Sequence, residues 1–196
     1  MKVLSLLQPW ASLMAFGEKR IETRGHPIAT LVNHPLGIAS SASIPKAERA
    51  LCATEPFKTA LARHGISTWR DLPLGQILSV VDVLKMLRTE EAEPFKSPAE
   101  FEPAFGNYKP GRWAFLTDNL RRVRPVTPFL CTGPKVGYTR CNEFGVGPQG
   151  ERCACGGTFT RRGAGGLAPW FYPEEKLEFI EHPLDNAKKG QLDFIG

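Results

Sequence analysis

The chain has no run of about 18 consecutive apolar residues, so its sequence predicts no membrane-spanning helix and no membrane partner. Its first residues, Met1 to Leu7, pass directly into Gln8-Pro9 without the small-residue cleavage site of a secretory signal, and the expected location is cytoplasmic. Histidine is scarce, four in all, and His26 and His34 fall in a proline-flanked stretch that favours surface positions over acid–base roles. The five cysteines are an odd number, which in a chain without an export signal argues for free thiols or metal ligands over a disulfide frame. Acidic residues are also in deficit, 20 against 25 Lys and Arg for a net charge of +5. That excess points to an anionic partner, with nucleic acid ahead of a membrane surface.

What is present fits one sizeable core: 196 residues, 42% hydrophobic. Val3 to Leu7 reads as a strand. Pro9 suits the first turn of a helix whose Trp10, Leu13 and Met14 share a face with Gly17, and Gly17 can end it in a left-handed conformation. Lys19 to Arg24 reads as a strand in which Glu22 and Arg24 point one way and Ile21 and Thr23 the other. If Ile21 faces the core, Glu22 and Arg24 look outward or into a cleft.

Leu36 to Ala42 is a further strand, its small residues Ser40 and Ser41 leaving room for close approach. Residues 45 to 64 read as two short helices split by Pro56, with Gly65 as the C-terminal cap and Cys52 in the core. "GQILSVVDVLKML" is the strongest strand signal and carries a single acid, Asp82. Residues 88 to 110 form a polar, proline-containing loop with one helical turn near 99 to 105, and "GRWAFLTDNLRRVRPV" returns to strand with a turn at Asp118-Asn119. Short strands and few helices predict an α+β fold, a small β-barrel with helices packed on it.

The opening, "QPWASL" followed by "GEKRIETR", resembles the first motif of the ASCH (activating signal cointegrator homology) family at Gln8, Pro9, Trp10, Ala11, Gly17, Lys19, Glu22 and Arg24. "LGIASSA", "GQILSVVDV" and "GRWAFLTDNLRRVRPV" are similar to its later strands, and "RGAGGLAPW" resembles its closing element with Ala168 and Pro169 interrupting it. The resemblance leaves out roughly residues 85 to 108, 128 to 161 and those after 172. It implies a single PUA-like domain over 1–196 and a fold widely used for RNA binding, although a fold does not assign a function.

The residues around that motif make a recognition set. Arg24 offers a planar fork for a phosphate or a base edge, Lys19 a compact charge, and Glu22 either holds Arg24 or accepts from an exocyclic amine. Gln8, Ser40 and Asp82 complete the candidate cleft, and Ser41 is a further candidate contact. Trp10 and Trp113 either stack on an unpaired base, worth about 1–3 kcal/mol per base, or belong to the core. Arg121 and Arg122 either contact phosphates or form a solvated hairpin edge. The expected function is binding of RNA, single-stranded DNA or a modified cytidine nucleoside.

The family also contains amidohydrolases of N4-acylated cytidine, and the resemblance implies a catalytic set of Lys, a hydroxyl three positions on, and a carboxylate from the central strand. Lys19 and Asp82 match, but the hydroxyl position is Glu22, which removes the covalent route and leaves a Glu-activated water or phosphodiester cleavage as the hydrolytic alternatives.

Residues 128 to 161 form a Cys- and Gly-rich insertion with too little apolar content for a core of its own. Cys131, Cys141, Cys153 and Cys155 are candidate ligands for a structural zinc ion, although their C-x9-C-x11-C-x-C spacing departs from paired C-x2-4-C knuckles. The alternatives are a reduced glycine-rich loop or a protein-interaction module.

Overall fold

Strand β1 (Lys2–Leu6) feeds two cores at once because successive side chains leave a strand on opposite faces. Leu4 and Leu6 join a cluster with Ile38, Val81, Val83 and Phe115, whereas Val3 joins Val80, Val123, Trp170 and Tyr172 on the other side. The computed structural model describes residues 1–94, 97, 99–131, 135–136, 139–140, 144–145, 157–161 and 169–181.

Helix α1 (Trp10–Phe16) follows β1 and presses Ala11, Met14 and Ala15 into the first cluster. Its start is held by Gln8, whose side-chain oxygen accepts the Ser12 N–H at 3.1 Å while its amide donates to Ser12 Oγ and to the Pro73 carbonyl, each at 2.8 Å. Gly17 ends the helix at φ +80°, its N–H returning to the Met14 carbonyl. An added Cβ there would sit in a left-handed conformation and 3.4 Å from Leu120 Cδ2. Gly17→Ala is therefore expected to destabilise by about 1–2 kcal/mol, read as a lower urea midpoint at unchanged slope.

The remaining elements are β2 (Ile21–Arg24), β3 (His34–Ser40), α2 (Lys46–Leu51), α3 (Phe57–Ala62), β4 (Ile77–Arg88), β5 (Trp113–Val126), β6 (Phe129–Cys131), β7 (Lys135–Val136), β8 (Thr139–Arg140), β9 (Phe144–Gly145), β10 (Phe159–Arg161) and β11 (Trp170–Phe171). Six strands form one mixed sheet in the order β11-β1-β3-β4-β5-β2, in which β1 and β3 run parallel and the other pairs antiparallel. This mixed six-stranded sheet with few short helices makes the fold α+β, the class that the sequence predicts. A third cluster lies beneath α2 and α3, where Leu13, Phe57, Ala60, Leu61, Phe105 and the buried Cys52 meet. Each large side chain of this kind contributes about 1.5–3 kcal/mol by leaving water.

The expected turn at Asp118-Asn119 is corrected. Strand β5 continues through it for 14 residues, with Asn119 at φ +50° and the register against β4 shifting nearby. Strand β4 offers a partner along most of this length, so the left-handed residue is absorbed as an irregularity in the ladder and not as a reversal. Arg121 and Arg122 consequently sit within a paired strand, opposite Val80 and Ser79, and not on a hairpin edge.

Beyond β5, β10, β6 and β9 make a three-stranded sheet and β7 with β8 a two-stranded one. Cys131 lies on β6, while Cys141, Cys153 and Cys155 are outside the described residues, and with them the four-thiol zinc site.

Candidate functional site

The short strand β2 lies at one end of the sheet, paired with β5 so that Glu22 stands opposite Phe115 and Arg24 opposite Trp113. Both charged side chains are nonetheless buried, Glu22 at 9% and Arg24 at 8% exposure, because the segment around Glu102–Ala104 folds across them. Between that segment, β2 and the end of β1 lies a cavity of about 580 Å³. Leu6, Leu7, Trp10 and Phe105 supply its apolar wall, and Glu22, Arg24, Ser41, Asn107 and Arg112 its polar groups. A volume of this order suits one small organic ligand. Thr23, which the alternation places on the other face, also lines it, and its hydroxyl accepts the Asn107 N–H at 2.9 Å.

Behind the cavity sits a cluster of buried charge. Lys19, 2% exposed, lies 3.8 Å from Glu22 on one side and 3.8 Å from Glu102 on the other, and donates to the Ile21 carbonyl. Arg24 stands 3.6 Å from the second oxygen of Glu22. The four groups sum to zero charge, which is the condition under which buried ions persist. Glu102 is wholly buried and anchors the wall: it accepts the backbone N–H groups of Arg20 and Ile21 and the Tyr108 hydroxyl at 3.1 Å. Burial, reinforced by the Glu102 carboxylate, pushes the Tyr108 phenol far above its ordinary value, so Tyr108 acts as a fixed donor.

Burial likewise raises the Glu22 carboxyl above its ordinary 4.5, against the lowering effects of Lys19 and then Arg24. A native pKa above the unfolded one means that the folded state holds this proton more tightly. The contribution is fully present below 4.5 and is lost as pH rises through the native pKa. In urea titrations at a series of pH values, the stability of the wild type relative to Glu22→Gln is expected to fall with rising pH across that window. A difference that stays flat or rises would contradict the buried-carboxyl assignment.

The sequence-predicted residues divide into three groups. Trp10, Glu22, Arg24 and Ser41 line the cavity. Lys19, Gln8 and Ser40 do not: Lys19 backs it, Gln8 caps α1, and Ser40 exchanges hydrogen bonds with the Gln76 backbone. Asp82, Trp113, Arg121 and Arg122 lie elsewhere. Asp82 accepts from Arg121 at 2.9 Å and from Asn119 at 2.7 Å, Arg121 also reaches Glu174, Arg122 lies over Phe16, and Arg88 covers Trp113 at 4.0 Å. Lys19, Glu22 and Asp82 are thus not gathered around one cavity. His26 and His34 are exposed, as their flanking prolines predict. Among the described residues no group of three His, Cys, Asp or Glu is placed to hold a metal ion, and no helix is long and apolar enough to cross a membrane.

Glu102, Phe105, Asn107, Tyr108 and Arg112 were not singled out by the sequence. The available signal was the stretch "FEPAFGNY", in which an acid sits among aromatics in a segment otherwise read as a polar loop.

No protein-family model and no curated protein matches the chain. Among solved structures it is similar to the ASCH protein of Zymomonas mobilis, with 15% identity over 63% of this chain and 71% of that one and a TM-score of 0.34. A serine-to-alanine variant of that protein matches at 14% identity over 64% and 72% (TM-score 0.34), and a tyrosine-to-phenylalanine variant at 13% over 64% and 73% (TM-score 0.35).

Proposed function

We propose that the cavity beside β2 binds a single unpaired base, presented by single-stranded RNA or DNA or as a modified cytidine nucleoside. The observation that carries this reading is the pairing, in one cavity of about 580 Å³, of an aromatic and aliphatic wall with Glu22 and Arg24. Trp10 supplies a stacking surface, its ring held edge-on by Phe57 at 6.1 Å. The Glu22 carboxyl group accepts from an exocyclic amine and the Arg24 guanidinium donates to a ring nitrogen or carbonyl, which together complement a cytosine-type edge. Arg24 and Arg112 bring positive charge to the same opening, and the net charge of the chain steers an anionic strand toward it.

Fluorescence titration with short single-stranded oligonucleotides and with cytidine derivatives tests the reading. Trp10→Ala is expected to weaken binding by about 5- to 150-fold, the loss of about 1–3 kcal/mol of stacking. Unchanged affinity in a folded Trp10→Ala variant would remove the base from this cavity.

A further inference from the structure

Trp69, half-buried at the foot of the α2–α3 layer, is covered by two guanidinium groups. The Arg49 and Arg70 carbons lie 4.5 and 4.6 Å from its ring centroid. Both arginines are exposed, and neither forms an ion pair within the described residues. Two like charges are therefore held over one indole without an intervening carboxylate.

The arrangement is fixed from below. Arg49 Nε donates to the Ile44 carbonyl at 2.8 Å. The turn that carries Trp69 and Arg70 is closed by Thr68 and Asp71, whose side chains bond reciprocally to each other's backbone. The acids adjacent in sequence are Glu48 and Asp71: Glu48 forms no ion pair with either arginine among the described residues, and the Asp71 carboxylate is engaged by the Thr68 and Ser67 N–H groups, which hold it below the ordinary carboxylate range. The surrounding indole and backbone contacts restrain both side chains before any partner arrives, so little further ordering is needed to bind an anion.

The position relates this pair to the cavity. Ile44, which anchors Arg49, is three residues after Ser41 in the cavity wall, a separation of at most about 11 Å along an extended chain. Trp10 of the cavity wall and Trp69 pack against the same buried cluster.

We infer that Arg49 and Arg70 over Trp69 form a backbone-phosphate clamp for a nucleic-acid strand whose base occupies the cavity, making the ligand a polynucleotide in preference to a free nucleoside. The inference rests on the base-binding reading and specifies its ligand. Planar guanidinium groups bind phosphate oxygens through paired N–H donors, and a phosphodiester beside these two cations offsets their like charge.

The test compares the full chain with the Arg49→Ala/Arg70→Ala double variant, using a fluorescent single-stranded RNA 12-mer titrated over a range of salt concentrations and cytidine titrated alone. Loss of about threefold to tenfold in 12-mer affinity is expected, with a salt slope shallower by about 0.7 for each arginine. Affinity for cytidine should stay unchanged. Arg49→Lys/Arg70→Lys should retain most of the salt slope, and thermal melting verifies that every variant is folded. A double alanine variant that binds the 12-mer with the wild-type slope overturns the clamp and leaves the cavity reading standing. Wild-type protein that binds neither the 12-mer nor cytidine overturns both. Equal losses for the 12-mer and for cytidine also overturn the clamp, because they assign the arginines to the shape of the cavity and not to the strand.

Discussion

Glu102→Ala is expected to destabilise the fold by about 3–5 kcal/mol, the range for removing one partner from a buried ion pair. The carboxylate is wholly buried and does three things at once. It faces the Lys19 ammonium at 3.8 Å, it accepts two successive backbone N–H groups at the start of β2, and it receives the Tyr108 hydroxyl. Alanine leaves the Arg20 and Ile21 N–H groups without this acceptor and removes one of the two carboxylates that flank Lys19. Glu102→Gln should lose less, since an amide oxygen still accepts from the backbone, and Tyr108→Phe should lose only about 1 kcal/mol. Urea denaturation of the three variants gives the order directly. A Glu102→Ala variant within 1 kcal/mol of wild type would mean that the wall is not anchored by this residue.

Arg24→Ala is expected to lower affinity for single-stranded oligonucleotides by about 10- to 150-fold, the equivalent of 1.5–3 kcal/mol for a charge-assisted hydrogen bond. Arg24 is the cavity's most deeply buried cation and stands 3.6 Å from Glu22. Its removal acts twice. The ligand loses a planar fork of donors, and the Glu22 carboxyl, no longer held down by that neighbour, moves further above its ordinary value. Arg24→Lys keeps the charge without the fork, so its affinity should fall between the two. The measurement is equilibrium binding by anisotropy on protein shown to be folded. Wild-type affinity in Arg24→Ala would detach ligand binding from this cavity.

How far the sequence reveals these features depends on whether they are local. The α1 start at Gln8-Pro9, its left-handed end at Gly17, the division of α2 from α3 at Pro56 and the course of β4 all follow from residues adjacent in the chain. The charge cluster was half visible. Lys19, Glu22 and Arg24 stand together in one motif, but the group that neutralises and positions them, Glu102, arrives from about 80 residues away in a segment with no periodic pattern. Asp82 shows the opposite case. It is the single acid of a strong strand and invites a catalytic role, yet the side chains that receive it, Arg121 and Asn119, come from β5 and engage it away from the cavity. The continuous course of β5 was equally hidden, because Asp118-Asn119 has the composition of a turn and only the presence of β4 alongside keeps it extended.

Photo-crosslinking addresses the central claim most directly. A single-stranded RNA carrying one 4-thiouridine or 4-thiocytidine, irradiated with the protein and digested for mass spectrometry, should yield adducts on peptides containing Trp10, Thr23 or Phe105, and Arg24→Ala should suppress them. Adducts confined to the exposed side of β4 around Leu84, or no adduct at a concentration where anisotropy reports saturation, would contradict a base seated between Trp10 and the Glu22–Arg24 pair.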